Sequence, residues 1–411
     1  MNVLYINHYA GSIRHGMEFR PYYLAAKWKA MGHNVTIVAA DQSHLRQASI
    51  EICDNFFACE NVAGIDYIWL KTTRYSGNGV NRALNMFSFV RRLFQWRKWL
   101  KFSPDVVIAS STYPLDIFPA KRIAKKFSSR LVFELHDLWP LSPIELGGMS
   151  PGNPFIKLLQ YAENYVCKNV DAVVSMLPCV IDHLVEHGLE RDKFFYIPNG
   201  VVVDDWLNCE EKVPEEIRHR LLEIRKSGKR VIAYAGAHGV ANALKSFAEA
   251  SVLLRDSSIH FVTFGGGPEL ESLIRMSKGF PNFSTFGPIS KKCIPDALSL
   301  SDFLFIGLQR QPLFRFGVSP NKLMDYMMAA KPIVCAISSG NDIVSDAKCG
   351  ITCEPESPAA IASAIRVLLN CSESELVEMG RSGKQYVCSH HDYNHLAVEF
   401  LKVISFQGDL K

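Results

Sequence analysis

The sequence predicts an α/β protein of two Rossmann-like domains with a cleft between them, and three observations carry that reading. The chain has 411 residues, too many for one core of ordinary size. Short apolar runs of strand length alternate with helix-length patterns along most of it, as in parallel sheets covered on both faces. A charged stretch, 204–230, divides those runs into two series.

In the first series the strand candidates are 3–7, 35–39, 67–70, 106–109, 131–134 and 172–175. Met1 to Ile6 reads as the first strand and not as a signal peptide. The second series runs 231–235, 260–264, 283–286, 302–306, 333–336 and 351–353. Domain bounds of 1–203 and 204–385 follow, with a last segment, 386–411, that carries a helix around 395–404. No internal repeat or low-complexity tract interrupts the pattern.

Composition narrows the class. With 48% hydrophobic and 21% charged residues the chain is globular in type. No apolar run approaches the roughly 18 to 20 residues needed to span a bilayer, so a cytoplasmic protein is expected. The eleven cysteines show no repeated pair spacing and read as reduced, mostly buried thiols. Cys349 and Cys353 lack a second pair or nearby histidine to complete a metal site. His390-His391-Asp392 reads as a solvated helix start.

The net charge of +4 conceals an asymmetry. Through Arg130 there are 18 Lys and Arg against 8 Asp and Glu. Residues 71–103 hold eight basic residues and no acid, among them Arg82, Arg91, Arg92, Arg97 and Lys98, interleaved with apolar and aromatic side chains. Such a segment suits an amphipathic helix facing an anionic membrane surface or a lipid-pyrophosphate acceptor. The alternative is a core helix with a solvated basic face. Nucleic acid is not expected as a partner, because no nucleic-acid motif accompanies the charge.

The most telling segment is Ser319-Pro320-Asn321-Lys322-Leu323-Met324-Asp325-Tyr326, which reads as a loop entering a helix. Pro320 suits a helix start, whose free N–H groups can hold an anion, and Lys322 adds a full positive charge in the same turn. Asp325, one turn on, can accept two ribose hydroxyls. A phosphate seat beside a ribose acceptor points to a nucleoside diphosphate; the bland alternative is an ordinary helix start.

This segment resembles the donor-binding motif of the family 4 glycosyltransferases, retaining enzymes of the GT-B fold, especially the bacterial O-antigen and capsule branch that includes L-fucosamine transferases. Other segments resemble that family in the same order: Tyr5-Ile6-Asn7-His8-Tyr9-Ala10-Gly11, Met31-Gly32-His33-Asn34-Val35, Glu134-Leu135-His136-Asp137-Leu138-Trp139-Pro140, Ile197-Pro198-Asn199-Gly200-Val201, Tyr234-Ala235-Gly236-Ala237-His238-Gly239 and Phe264-Gly265-Gly266-Gly267-Pro268-Glu269. The resemblance implies that the last helix returns to the first domain. It implies a UDP-sugar donor held by Gly11, Gly236, His238, Gly239, Asn242, Gly266, Glu269, Gly317, Ser319, Pro320, Asn321, Lys322 and Asp325. His136 and Asp137 would serve the reacting sugar, and the leaving diphosphate would accept the acceptor's proton. The acceptor would be a lipid-pyrophosphate-linked glycan, met by a protein peripheral on the inner face of the membrane.

The chain departs from the family pattern twice. Ala237 and Asn242 stand where many members carry an arginine and a lysine that clamp the pyrophosphate, and Gly317 stands where the first of two acids falls. No cofactor and no metal are expected, since no Asp-x-Asp motif lies in a suitable loop. Two rivals are a UDP-sugar epimerase, which would need no acceptor, and a non-catalytic membrane scaffold. A dehydrogenase is poorly supported, because residues 7–16 lack a Gly-x-Gly-x-x-Gly spacing.

Overall fold

The computed structural model describes residues 1–405 apart from 47–49, 53–55, 76, 78 and 209. Two units emerge, Met1–Asn199 together with the stretch from Tyr393, and Gly200–Asp392. The first holds an eight-stranded sheet: β1 (Asn2–Ile6), β2 (Asn34–Ala40), β3 (Phe57–Val62), β4 (Ile65–Leu70), β5 (Val106–Ala109), β6 (Arg130–Leu135), β7 (Ala172–Ser175) and β8 (Phe194–Tyr196). Their spatial order is β3-β4-β2-β1-β5-β6-β7-β8, parallel throughout except for β3 against β4. Val3, Leu4, Tyr5 and Ile6 of β1 are buried, each large aliphatic side chain contributing about 1.5–3 kcal/mol. The chain leaves β1 toward β2 and later returns on its other side at β5, so the sheet reverses direction between them. Loops after β1 and β5 therefore flank the crevice where open α/β sheets bind ligands.

The second unit repeats the logic with β9 (Arg230–Ala235), β10 (Ile259–Phe264), β11 (Phe283–Phe286), β12 (Phe303–Gly307), β13 (Ile333–Ala336) and β14 (Gly350–Thr352). All are parallel, in the order β11-β10-β9-β12-β13-β14, with the reversal between β9 and β12. There the Gln309 amide donates to the Ala241 carbonyl at 2.9 Å, tying the loop after β12 to the loop after β9. The last helix, Tyr393–Ser405, belongs to the first unit. Trp28 donates its indole N–H to the Ala397 carbonyl at 2.9 Å and meets Phe400 edge-on.

Several features differ from the sequence reading. β3 is an added antiparallel edge strand of mixed polarity, Phe57-Ala58-Cys59-Glu60-Asn61-Val62, joined to β4 through Ala63 and Gly64, both at positive φ. That two-residue turn matches strand twist, but it lacks the Asn-Gly or Asp-Gly pair that usually advertises it. The stretch 204–230 is not a bare connection: its helix Glu215–Lys226 buries Leu221 and Ile224 in the second unit's core, and Arg218 pairs with Asp296. His390 and His391 end the helix Glu373–His390 instead of starting one, and His391 is buried. Cys53 and Cys209 lie outside the described residues; the other nine cysteines are free, four of them buried.

Candidate functional site

On the second unit the helix Asn321–Met328 begins at Pro320, an N-cap residue in extended conformation. Its Leu323, Met324, Tyr326, Met327 and Met328 are buried, and Tyr326 is bonded to the end of β9, its Oη accepting the Ala235 amide at 2.7 Å and donating to the Ala235 carbonyl at 3.1 Å. This clamp fixes the helix start beside the loop after β9. Lys322 then reaches back, donating from Nζ to Tyr234 Oη at 2.8 Å and Asn242 Oδ1 at 2.5 Å. Among the described residues no carboxylate lies within ion-pair distance of it. Burial alone pulls its ammonium down to about 8. A half-buried cation without a counter-ion is electrostatically incomplete, and an anion placed there would restore its charge partner.

The surrounding loop is built for close approach. A Cβ on Gly265 would sit 1.8 Å from the Gly236 carbonyl oxygen, so a side chain there would force the two loops apart. His238 donates its amide to the Gly266 carbonyl at 2.7 Å, and its carbonyl accepts the Glu269 amide at 3.0 Å. The His238 ring is fully buried, yet among the described residues neither nitrogen has a hydrogen-bond partner; burial and then Lys322 lower its pKa. Glu269 is the N-cap residue of the helix Leu270–Gly279, and one of its buried carboxylate oxygens has no partner among the described residues. Gly239 opens the short turn Val240–Asn242, whose Asn242 side chain donates from Nδ2 to the Ala237 carbonyl at 3.0 Å. Asp325 is half-buried, and burial raises its carboxyl to about 6, against lowering by Lys291 and Trp206. Ser319 and Asn321 flank the helix start, and Gly266 spans Gly265 and Gly267 without crowding. Gly317 has φ +94°, a conformation that favours glycine and opposes an acid at this position.

On the first unit, His136 follows β6 and is anchored by a buried network absent from the sequence reading. Glu134 and Arg20, both with fully buried side chains, pair at 2.8 Å. Glu134 also accepts from Tyr5 Oη and from Ser110 Oγ at 2.6 Å. Burial would raise the Glu134 carboxyl, but Arg20 and then His136 overcome it and hold the group well below the usual carboxylate range. Arg20 is pushed up by the same pairing against its own burial, and it donates to the Ile197 carbonyl at 2.9 Å and to that of Pro198. His136 Nε2 lies 3.0 Å from Glu134 and 2.8 Å from Ser110 Oγ. Because an ionised carboxylate only accepts, Nε2 carries the proton, and Nδ1 has no partner among the described residues. Asp137 is spent within its own loop: its oxygens accept the Leu138 amide at 2.8 Å, the Trp139 indole at 3.0 Å and the Ser142 hydroxyl. Gly11 is equally committed, donating its amide to the Glu18 carbonyl at 2.8 Å and accepting Tyr67 Oη at 2.7 Å.

The basic segment forms the helix Val80–Phe94 and a following turn, Trp96–Lys98. Asn85, Met86, Phe89 and Leu93 face the core. Val80, 76% exposed, Leu84, 53% exposed, Phe87 and Phe94 lie outward with Arg91, spaced four, three, four and three residues apart. That spacing makes one continuous stripe. Arg97 and Lys98 are exposed beyond it, Arg92 donates to the Lys71 carbonyl over the Phe56 ring, and Arg82 lies over the Tyr9 ring. The helix thus has a core face, as the second sequence alternative expects, and an exposed face that combines apolar and basic side chains.

A family model described as glycosyl transferase 4-like domain matches residues 15–200, and another described as glycosyl transferases group 1 matches residues 229–371. The chain is a glycosyltransferase. Solved structures agree in fold: sucrose-phosphate synthase from Thermosynechococcus elongatus (TM-score 0.71, 13% identity, 98% of each chain covered), the E. coli trehalose-6-phosphate protein bound with UDP-2-fluoro glucose (TM-score 0.73, 11% identity, 98% of this chain and 99% of that one) and Anabaena HepE in complex with UDP-glucose (TM-score 0.64, 12% identity, 98% and 99%). No curated protein matches the chain in sequence. At these identities the likeness is one of fold, and the two parallel-sheet domains of the glycosyltransferase are those of the GT-B class. Arg20 and Ser110 support the site from outside the segments that the sequence singles out, while Tyr5, Glu134, Tyr234 and Tyr326 lie within those segments with no role assigned to them there. Among the described residues no helix of the glycosyltransferase is long and apolar enough to cross a membrane.

Proposed function

We propose that this glycosyltransferase is a retaining enzyme of the family 4 O-antigen and capsule branch. It transfers an amino or deoxy sugar, such as N-acetyl-L-fucosamine, from a UDP-sugar to a lipid-linked glycan at the inner face of the membrane. The observation that carries the donor assignment is Lys322, half-buried beside the start of a helix and without a carboxylate partner among the described residues. Neighbours of the same fold bound with UDP-glucose and UDP-2-fluoro glucose support the nucleotide. In this reading Lys322 and the amides of the loop after β9 meet the diphosphate charge with no metal ion, and Asp325 takes the ribose. His238 and Glu269, with unpartnered buried atoms, complete the donor contacts. His136 holds the transferred sugar, and the departing diphosphate takes the acceptor's proton on the face it leaves, so the protein contributes positioning and charge stabilisation. Mass spectrometry of products from a panel of UDP-sugars with a lipid-linked acceptor tests the proposal. Turnover of a UDP-sugar into its epimer without acceptor would replace it with the epimerase reading.

Donor binding should depend on Lys322 and Asp325 in a defined pH range. Lys322→Ala and Asp325→Ala are each expected to weaken UDP binding by roughly 1 to 3 kcal/mol, the scale of a lost charged hydrogen bond. Lys322 is charged below about 8, so wild-type affinity should fall as pH rises through that value, and the Lys322→Ala variant should lack the fall. Asp325 accepts hydroxyls best when ionised, above about 6. Since the terminal phosphate of UDP also protonates near 6, this acid limb is read as the difference between wild type and Asp325→Asn. Calorimetry that finds UDP affinity unchanged in both alanine variants removes the seat from this helix.

The outward stripe carries the membrane part of the proposal. Val80, Leu84, Phe87 and Phe94 offer apolar contact, with Arg91, Arg97 and Lys98 able to meet anionic headgroups at about 1 kcal/mol each. The protein should sediment with anionic vesicles at low salt and be released as ionic strength rises. Replacing Arg91, Arg97 and Lys98 with glutamine should abolish most of that binding while sparing transfer to a short water-soluble acceptor. Sedimentation indifferent to both changes would leave the stripe without a lipid partner.

A further inference from the structure

We propose that Glu163, His183 and His187 form a binding site for a zinc-class divalent cation on the first unit. His183 and His187 are four residues apart and share one face of the helix Ile181–Glu186 and its end; Glu163 comes from the facing helix Pro154–Asn169. The three ligand atoms lie within 4.8 Å of one another. His183 Nε2 is 2.9 Å and His187 Nε2 3.7 Å from the two Glu163 oxygens. Ligands at zinc distances around a tetrahedral ion sit about 3.3 Å apart, and the two histidine–carboxylate separations fall on either side of that value, each to a different Glu163 oxygen, so a side-chain adjustment would draw the three ligands onto one ion.

Three observations favour a cation over a simple hydrogen-bonded cluster. His187 donates from Nδ1 to the His183 carbonyl at 2.8 Å, which fixes the ring and leaves Nε2 as the ligating nitrogen, 3.7 Å from the carboxylate. The Glu163 Oε2 that faces it already accepts a hydrogen bond from Gln160 at 2.7 Å. The Glu163 side chain is 6% exposed, and among the described residues no lysine or arginine pairs with it. Two imidazoles and one carboxylate suit zinc and similar metals better than magnesium or calcium, which favour oxygen. The fourth coordination position would be left to water, since His187 is partly exposed. The site would clasp the helix before β7 to the helix after it. None of its ligands belongs to the loop that carries His136, so the clasp is separate from the transfer chemistry.

Full-length protein freed of metal by chelation is titrated with zinc chloride against a chromophoric chelator under reducing conditions. One equivalent should bind at micromolar concentration or tighter, and Glu163→Gln and His187→Asn should each weaken it at least tenfold. Cobalt substitution of the wild type should give a visible band of four-coordinate type without a thiolate charge-transfer band, a reading that does not depend on any variant folding. Absence of wild-type binding at micromolar zinc overturns the proposal. So does binding retained in His183→Asn/His187→Asn, or a thiolate band that moves the metal to the cysteines.

Discussion

Glu134→Ala should be strongly damaging to the first unit, lowering its stability by about 3–5 kcal/mol, the cost of leaving one member of a buried ion pair alone. Arg20 would keep its charge with its side chain wholly out of solvent, and Tyr5 and Ser110 would lose their acceptor. Arg20→Met should cost less than the sum suggests when combined with Glu134→Leu, because the pair then leaves no unpaired charge, although the Ile197 and Pro198 carbonyls lose their donor. Urea unfolding of the four proteins gives the coupling directly. The pH dependence has a fixed sign. Glu134 is held below its ordinary value of 4.5, so its contribution is complete above that pH and is lost as pH falls below it. The advantage of wild type over Glu134→Ala should therefore shrink below about pH 4.5; equal stability of the two at pH 7 would mean that the pair does not organise this unit.

What could be read from the sequence was local. Valine- and isoleucine-rich runs such as Val106-Val107-Ile108-Ala109 mark buried parallel strands, because a strand covered on both faces has no polar side to confuse the pattern. The helix start that carries Lys322 and Asp325 was legible because it announces itself through Pro320 and the residues just after it. The pairings that complete the site were not. Arg20 and Glu134 are 114 positions apart and Tyr234 and Lys322 are 88 apart, and nothing in either neighbourhood names its partner. Asp137 looked as available as His136, since the donors that occupy it, Leu138, Trp139 and Ser142, reveal themselves only when the loop turns back on itself. The helix Val80–Phe94 showed its composition but not its rotation: the sequence holds enough apolar residues for two faces, and packing decides which of them meets the core.

His136→Ala should cut turnover by about 10² or more while leaving UDP affinity and thermal stability nearly unchanged. The stability half of this expectation follows from the network. With His136 removed, Glu134 still accepts from Arg20, Tyr5 and Ser110, so no buried charge is abandoned. The catalytic half follows from the tautomer: Nε2 is tied to Glu134 and Ser110, which orients the ring and leaves Nδ1 as the atom able to meet a sugar hydroxyl. Asp137→Ala should behave differently. It orphans the Leu138 amide, the Trp139 indole N–H and the Ser142 hydroxyl at once, so it should lower stability by about 1–3 kcal/mol together with activity. Steady-state kinetics, UDP calorimetry and melting curves on the two variants separate these roles. If His136→Ala melts early and keeps its turnover per folded molecule, the histidine is a core residue held by Glu134, and the reacting sugar must be served by another group.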